Sequence, residues 1–331
     1  MKKLLTSVVA AVACYAGVAS AADINPAVIY DMGGRFDRSF NQGAYNGAEK
    51  YKEDNGTEYR DFEIQNDSQR EQAMRNFARR GMNPIVAIGF NQASALEKVA
   101  KEFPETKFTI IDMVVDLPNV QSVVFKEHEG SFLVGVLAAM ASKTGKVGFI
   151  GGMDIPLISK FSCGYAQGVK YANSDAEIFQ NMTGTTPSAW NDPVKGGELA
   201  KSQFDRGADV VYHAAGGTGV GVLQAAADAG KLGIGVDSNQ NGMHPGSVLT
   251  SMLKRVDVAV YEAFASAAGD NWQPGLTILG LAEGGVDWAL DENNEKLITP
   301  EMKATVAKAK EEIISGSLEV HDYTSDSACP M

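Results

Sequence analysis

The stretch IVAIGFNQASALEKVAKEFPETKFTIID, residues 85–112, contains one complete building unit of the fold. Four consecutive apolar residues, Ile85–Ile88, precede Gly-Phe-Asn and a helical pattern over 94–103, and a second apolar run, Phe108–Ile111, ends at Asp112. Short continuous apolar runs predict strands that are buried on both faces, and an intervening helix allows two such strands to lie parallel. The stretch therefore predicts a β-α-β unit of a parallel sheet covered by helices.

The same alternation extends in both directions along the chain. Further strands are predicted over 27–30, 59–64, 120–125, 146–150, 178–182, 210–214, 233–236 and 248–252. Helices are predicted over 42–53, 69–80, 130–142, 219–229, 256–268 and 300–316, the last with Thr299 as N-cap and Pro300 in its first turn. The 331-residue length favours two domains, and no low-complexity linker separates them. We therefore predict an α/β protein with two doubly wound parallel-sheet lobes joined by short crossovers.

The first 21 residues have the features of a secretory signal peptide. Lys2 and Lys3 precede an apolar stretch, and Ala-Ser-Ala follows at 19–21, which predicts a mature chain that starts at Ala22 and a periplasmic location. The apolar stretch is shorter than the roughly 20 residues of a membrane span. Lipidation at Cys14 is the less favoured alternative, because no leucine occurs among the three residues before it.

The composition argues against several classes of partner. The chain has 29 Lys+Arg against 41 Asp+Glu, a net charge of −12, and no basic cluster offsets this excess. Such a surface repels nucleic acid and anionic lipid, so we expect no nucleic-acid partner. Cys163 and Cys329 lack the spacing of a zinc or thioredoxin motif, and in an oxidising compartment they either pair or remain thiols. We expect a monomer without metal or cofactor.

Carboxylates and glycine turns recur where the predicted strands end. Asp31, Asp112 and Asp237 each follow an apolar run, and Gly-rich turns follow three others, at 89, 151–152 and 216–219. Ligands of open parallel sheets bind beyond the carboxyl ends of the strands. A single aspartate there is often a helix cap or a turn former. Because two facing lobes aim these ends at one space, a shared binding cleft is the favoured interpretation.

Two aromatic residues and one lysine complete the candidate set. Phe40 lies at a loop-to-helix junction in the first lobe, and Trp190 lies in a polar loop of the second. Together they can sandwich a flat ligand, although each can instead pack on its own lobe. Lys254 follows the last second-lobe strand, where the chain crosses back close to Asp237, and this position favours a ligand role over the usual solvated lysine.

Six segments resemble the basic membrane protein family of ABC-transporter substrate-binding proteins, a group that includes bacterial purine nucleoside receptors. The segments are 31–34 (DMGG), 37–43 (DRSFNQG), 110–112 (IID), 190–196 (WNDPVKG), 214–219 (AAGGTG) and 235–240 (GVDSNQ). The resemblance covers essentially the whole predicted mature chain. It implies the type I periplasmic binding protein fold with three crossovers. Lobe 1 would comprise 22–126 and about 253–283, and lobe 2 would comprise 127–252 and about 284–331.

The resemblance also implies a function and a set of ligand contacts. The protein would capture a purine nucleoside and deliver it to a cognate ABC permease in the inner membrane. The base would stack between Phe40 and Trp190, where many family members have Phe in place of this Trp. Asp31, Asn41 and Asp112 would contact the base edge.

The ribose side of the implied site uses the second lobe. Asp237 and Lys254 would hold the ribose hydroxyls, and Gly217 would let the backbone approach the ligand. Since some family members bind other solutes, the purine nucleoside is an inference from the resemblance.

Two other function classes compete with this prediction: an enzyme and a sugar-binding protein. An enzyme acting on nucleosides or nicotinamide cofactors is disfavoured, because the glycines at 217–221 lack the GxGxxG spacing and the four histidines show no metal-ligand spacing. His213, within a predicted strand, is most simply a core residue. A sugar-binding protein of the same fold is the nearer alternative, and the identity of the ligand separates the two. We expect no enzymatic activity.

Overall fold

The computed structural model describes residues 24–330, so the predicted signal peptide and Cys14 lie outside the described part of the chain. Twelve strands occur in this range: β1 (Ala27–Tyr30), β2 (Arg60–Glu63), β3 (Ile85–Ile88), β4 (Phe108–Ile111), β5 (Val120–Phe125), β6 (Lys146–Met153), β7 (Glu177–Gly184), β8 (Val210–Ala214), β9 (Leu232–Asp237), β10 (Val248–Lys254), β11 (Gly275–Leu279) and β12 (Val286–Trp288). Nine α-helices alternate with them over the same residues: α1 (Phe40–Asn55), α2 (Gln69–Arg79), α3 (Ala93–Glu102), α4 (Glu127–Ala141), α5 (Pro156–Ala172), α6 (Pro193–Asp205), α7 (Gly219–Asp228), α8 (Val256–Ala268) and α9 (Pro300–Ser315).

The strands form two six-stranded sheets, one in each lobe. The first has the order β11-β5-β4-β3-β1-β2 and is parallel throughout; the second has the order β12-β10-β9-β8-β6-β7, with only β12 antiparallel. Every residue of β1, β3, β4 and β8 is buried, as their continuous apolar sequences predicted. The predicted two-lobed α/β fold is confirmed.

The chain passes between the two sheets three times: after β5, after β10, and between β11 and β12. The Lys126 N–H donates to the Leu279 carbonyl at 3.0 Å, and the Arg255 N–H donates to the Gly285 carbonyl at 2.8 Å, so the three passages lie side by side. The residue limits predicted for the lobes stay a prediction. We call the three passages the crossover region, residues 126–127, 254–255 and 280–285.

The C-terminal part of the chain packs on the second lobe. The side chain of Thr299 accepts a hydrogen bond from the Met302 N–H at the start of α9, and Gly316 ends the helix with φ of 76°. Beyond α9, Cys329 forms a disulfide with Cys163 of α5, so the two cysteines pair and are not free thiols. Over residues 24–330, no helix is long and apolar enough to cross a membrane.

Candidate ligand-binding site

A cleft lies between the carboxyl ends of the two sheets. Both lobes contribute to its lining. Seven of the eight predicted site residues line it: Asp31, Phe40, Asn41, Asp112, Trp190, Asp237 and Lys254.

The eighth predicted residue, Gly217, is not among the residues that line the cleft. Gly216 lines the cleft instead, in the left-handed region at φ 55°. A Cβ at Gly217 would lie 3.2 Å from the Trp190 carbonyl oxygen, so this glycine is packed against the backbone of the Trp190 loop. Gly216 packs against the same oxygen at 3.3 Å and also lines the cleft, and the predicted ligand role of Gly217 stays a prediction.

Trp190 is half-buried in a short 3₁₀ turn after β7, and it lies over glycines. A Cβ at Gly152 would overlap its ring, and Gly33 and Gly216 are also close to it. The sequence predicted a turn of lobe 2 at Gly151-Gly152, but β6 continues through Met153. Gly152 therefore makes room for the indole within a strand and does not form a turn.

Lys254 is the cation of the cleft, and only 2% of its side chain is exposed. Its Nζ lies 2.6 Å from Asp112 Oδ2 and 3.0 Å from Glu127 Oε1. It also lies 5.1 Å from the centroid of the Phe40 ring, within cation–π range. Burial disfavours its charge, but Asp112, Glu127 and Asp237 outweigh burial and raise the pKa of Lys254 above its usual range. The ammonium is therefore charged.

Asp112 and Asp237 share an uncommon backbone conformation at the ends of β4 and β9. Their φ angles are 70° and 63°, in the left-handed region that aspartate tolerates better than most residues. Burial raises the pKa of Asp112 to about 6, against the attraction of Lys254. Its Oδ1 is buried without a hydrogen-bond partner. Asp112 therefore holds Lys254 with one oxygen and offers the other as an open acceptor.

Asp237 joins the two lobes. Its Oδ2 accepts a hydrogen bond from the Ser39 hydroxyl in the loop before α1. Burial raises the pKa of Asp237, although Lys254 and Ser39 favour its ionised form. Ser238 Oγ donates to the Ser39 carbonyl at 2.8 Å, and Gln240 Nε2 donates to the Arg38 carbonyl at 2.9 Å. The end of β9 is thus fixed against the first lobe beside the cleft.

Asp31 and Asn41 form a second polar group on the first lobe. Asp31 Oδ1 accepts from Arg70 Nη1 at 2.7 Å and from the Met32 N–H at 2.8 Å, and Oδ2 accepts from Asn91 Nδ2 at 3.2 Å. Asn41 Oδ1 accepts from the Asp31 N–H at 3.1 Å. Because buried Arg70 balances its charge, Asp31 holds the loop in place and retains little free acceptor capacity.

The sequence did not single out several residues of the cleft. Asp37 accepts backbone hydrogen bonds from Ser39, Asn41 and Gln42 at 2.8–3.1 Å, and burial raises its pKa to about 7 against those bonds. The sequence could have indicated Asp37 as a site residue, because it lies in the loop before α1. Phe161 of α5 has no such signal, because an apolar residue within a helix is indistinguishable from core.

The glycine run at 217–221 and the strand histidine His213 have packing roles in the second lobe. Gly219 makes room for the buried His213 ring, and a Cβ at Gly221 would overlap the Pro193 backbone. Burial lowers the pKa of His213 to about 4, so this histidine is neutral. Within residues 24–330, no three His, Cys, Asp or Glu side chains are grouped to hold a metal ion. Gly219 and Gly221 therefore let α7 pack closely on β8 and on the start of α6.

The sequence model of the family described as "ABC transporter substrate-binding protein PnrA-like" matches residues 24–324. The ABC transporter nucleoside-binding protein BmpA of Lactococcus lactis subsp. cremoris is 36% identical over 322 residues, which cover 90% of this chain and 89% of that protein. An uncharacterised lipoprotein of Pyrococcus furiosus is 32% identical over 341 residues, which cover 89% and 85% of the two chains. A solved solute-binding protein of an ABC transporter system from Aeropyrum pernix K1 has a TM-score of 0.83 and 32% identity, and the match covers 90% of this chain and 93% of that chain.

The family match extends across both sheets and all the segments that line the cleft. The resemblance stated from the sequence is confirmed, and so is the fold that it implied. Proteins of this family are substrate-binding components that bind a small ligand and work with a transporter permease. The chain belongs to the Bmp family of PnrA-like ABC transporter substrate-binding proteins.

Proposed function

We propose that the protein captures a neutral purine nucleoside in its cleft and passes it, chemically unchanged, to its ABC permease. One observation carries the proposal. The cleft combines aromatic rings from both lobes, Phe40 and Trp190, with the buried polar group of Lys254, Asp112 and Asp237. A nucleoside has the matching halves, because its base is flat and aromatic and its ribose carries hydroxyls.

The aromatic half of the cleft suits the base. Stacking of a base on an aromatic side chain contributes roughly 1–3 kcal/mol. The indole of Trp190 offers a broad flat surface for this contact. Leu157 and Phe161 of α5 extend the apolar lining, so the rest of the base can also leave water.

The polar half suits the ribose hydroxyls. The open Oδ1 of Asp112 can accept a hydroxyl hydrogen, and the Lys254 ammonium can donate to a hydroxyl oxygen. Hydrogen bonds to charged partners are the stronger ones. We therefore assign Asp112 to the ribose side with Lys254 and Asp237, a change from the base-edge role that the resemblance implied for it.

Asn41 is the proposed reader of the base edge. Its amide both donates and accepts, as the mixed edge of a purine requires. Its Oδ1 already accepts from the Asp31 N–H, and its Nδ2 makes only a long contact of 3.4 Å with the Asp31 carbonyl. At least one amide hydrogen is therefore free for the base.

The nearer alternative is a sugar, which would use the same carboxylates and could stack on Trp190 alone. Mass spectrometry of small molecules released from protein purified without refolding separates the two. The proposal predicts that guanosine, inosine or adenosine is released, and that a nucleoside added to the protein is recovered intact. Release of a sugar alone would favour the alternative, and hydrolysis of the nucleoside would indicate an enzyme.

A further inference from the structure

A row of alternating charges runs from the cleft through the crossover region to the C-terminal tail. Asp112 contacts Lys254 at 2.6 Å, and Lys254 contacts Glu127 Oε1 at 3.0 Å. Glu127 Oε2 contacts Lys160 at 3.1 Å, and Lys160 contacts Asp322 at 3.3 Å. We call these five side chains the charge chain. Each of its inner members lies between two groups of opposite sign.

The inner members of the charge chain are deeply buried. The side chains of Glu127 and Lys160 are 1% and 10% exposed, whereas that of Asp322 is 31% exposed. Burial disfavours the ionised form of Glu127, but Lys254 and Lys160 outweigh burial and hold the pKa of Glu127 below its usual range. A buried charge that loses a partner either moves or changes its protonation state. Each link therefore constrains the next.

Asp322 is held at the outer end by the fold of the tail. The His321 N–H donates to Gln167 Oε1 at 2.9 Å, and Gln167 Nε2 donates to the His321 carbonyl at 3.0 Å. Gln167 is on α5, the helix that also carries Lys160, and the Cys163–Cys329 disulfide closes the tail onto the same helix. The tail thus presents a carboxylate to Lys160 at a defined position.

Two other ionisable side chains, His128 and Lys126, lie near this end of the charge chain. His128 Nδ1 lies 3.8 Å from Asp322 Oδ2, and burial lowers the pKa of His128, so the ring is neutral near pH 7. Lys126 pairs with Glu129 at 3.1 Å, so its charge is satisfied within the crossover region. In the described part of the chain, Asp322 is therefore the anion that contacts the outer side of Lys160.

We infer that Asp322 is a positioning residue of the ligand site: through Lys160 and Glu127 it holds the Lys254 ammonium in place against Asp112. Lys160 Nζ also donates to the Phe125 carbonyl at 2.8 Å, so without Asp322 it keeps that bond but has Glu127 as its one carboxylate partner among the described residues. The stronger pull of Lys160 then draws the Glu127 carboxylate away from Lys254. Lys254, already 2.6 Å from Asp112, then loses part of its contact with Glu127, and the direction in which its ammonium faces the ligand changes. The inference rests on the proposed function only for its choice of guanosine as the binding probe.

The binding test uses matched variants of the full exported chain with the disulfide intact. Asp322→Asn removes the outer charge, and Asp326→Asn removes a tail charge that pairs with His321 and lies outside the charge chain. We expect Asp322→Asn to weaken guanosine binding roughly three- to tenfold, as for residues within one salt-bridge network. Asp326→Asn should bind like wild type, and Asp322→Glu should restore most of the affinity.

A double-mutant cycle separates positioning from general loosening of the tail. In a Glu127→Gln background the charge chain is already interrupted, so Asp322→Asn should cause no further loss of affinity. An equal loss in both backgrounds would overturn the inference, and so would an Asp322→Asn affinity within twofold of wild type.

A measurement without ligand keeps the inference independent of the proposed function. The side-chain ¹⁵N resonance of Lys254, assigned with Lys254→Arg, should shift in Asp322→Asn and remain in place in Asp326→Asn. If the wild-type protein does not bind guanosine, the proposed function fails and this resonance alone decides the inference. A Lys254 resonance that is unchanged in Asp322→Asn would contradict the inference.

Discussion

Replacing Trp190 is the sharpest perturbation of the aromatic half of the cleft. The indole is half-buried, lies against Gly152 and lines the cleft from the second lobe. Trp190→Ala removes one face of the proposed base sandwich. Since base stacking contributes roughly 1–3 kcal/mol and each 1.4 kcal/mol is a factor of ten, guanosine affinity should fall by a factor of about 5 to 150.

Two further variants separate stacking from indirect effects. Trp190→Phe keeps a flat ring and should lose no more than a few-fold in affinity. Gly152→Val leaves Trp190 in the sequence but places side-chain atoms where the ring lies, so it should weaken binding as Trp190→Ala does. Circular dichroism should show the same helix content in all three proteins. Because the Trp190 ring is partly exposed to solvent, Trp190→Ala should change the free energy of unfolding less than it changes the free energy of guanosine binding.

Calorimetric titration of guanosine into each variant supplies the affinities. The expected order is wild type, then Trp190→Phe, then Trp190→Ala together with Gly152→Val. Wild-type affinity in Trp190→Ala would refute the base sandwich. Weak binding by Trp190→Phe equal to that of Trp190→Ala would mean that the indole acts through packing of its loop and does not act by stacking.

Three other perturbations address the polar half of the cleft and the tail. Guanosine monophosphate should bind at least tenfold more weakly than guanosine in direct competition. Two unit negative charges about 4 Å apart, such as a phosphate charge beside the Asp112 or Asp237 carboxylate, repel by roughly 4 kcal/mol at an effective dielectric near 20. Equal affinities of the two ligands would contradict this prediction. Guanosine affinity should fall as the pH drops below about 6, because burial raises the pKa of Asp112 to about 6 and the ligand hydroxyl needs an ionised Asp112 oxygen as acceptor. Asp112→Asn should flatten this dependence of affinity on pH. A dependence that is the same in Asp112→Asn and wild type would rule out the role of Asp112 as acceptor. Cys329→Ser should lower the free energy of unfolding by about 2–4 kcal/mol through loss of the bond to Cys163; equal melting temperatures by calorimetry would show that the bond adds no stability.

Strands that are buried on both faces could be predicted from the sequence, because their apolar character is continuous. Central strands of the first sheet, such as β3 and β4, match the predicted bounds. β11 and β12 were missed for a physical reason. β11 is an exposed edge strand, and β12 has only three residues, so neither carries the apolar signal of a buried strand.

The cleft also has residues that could be predicted from the sequence and residues that could not. Asp31, Asp112 and Asp237 could be predicted, because parallel strands end on one side of a sheet. Glu127 and Lys160 are connected to Lys254 only because the first crossover places the start of α4 between Lys254 and α5. That arrangement depends on how the lobes pack, which strand and helix periodicity does not encode. Asp322 depends in addition on the position of the tail, which the disulfide with Cys163 fixes.

A calorimetric titration of ligand-free protein with guanosine, inosine and adenosine, with ribose and glucose as the comparison set, decides between a nucleoside and a sugar as the ligand. We expect saturable binding of at least one purine nucleoside at one site per chain. Both sugars should bind at least a hundredfold more weakly, because they lack the flat base that Phe40 and Trp190 would enclose. Tight binding of a sugar, with none of the three nucleosides bound, would contradict this expectation.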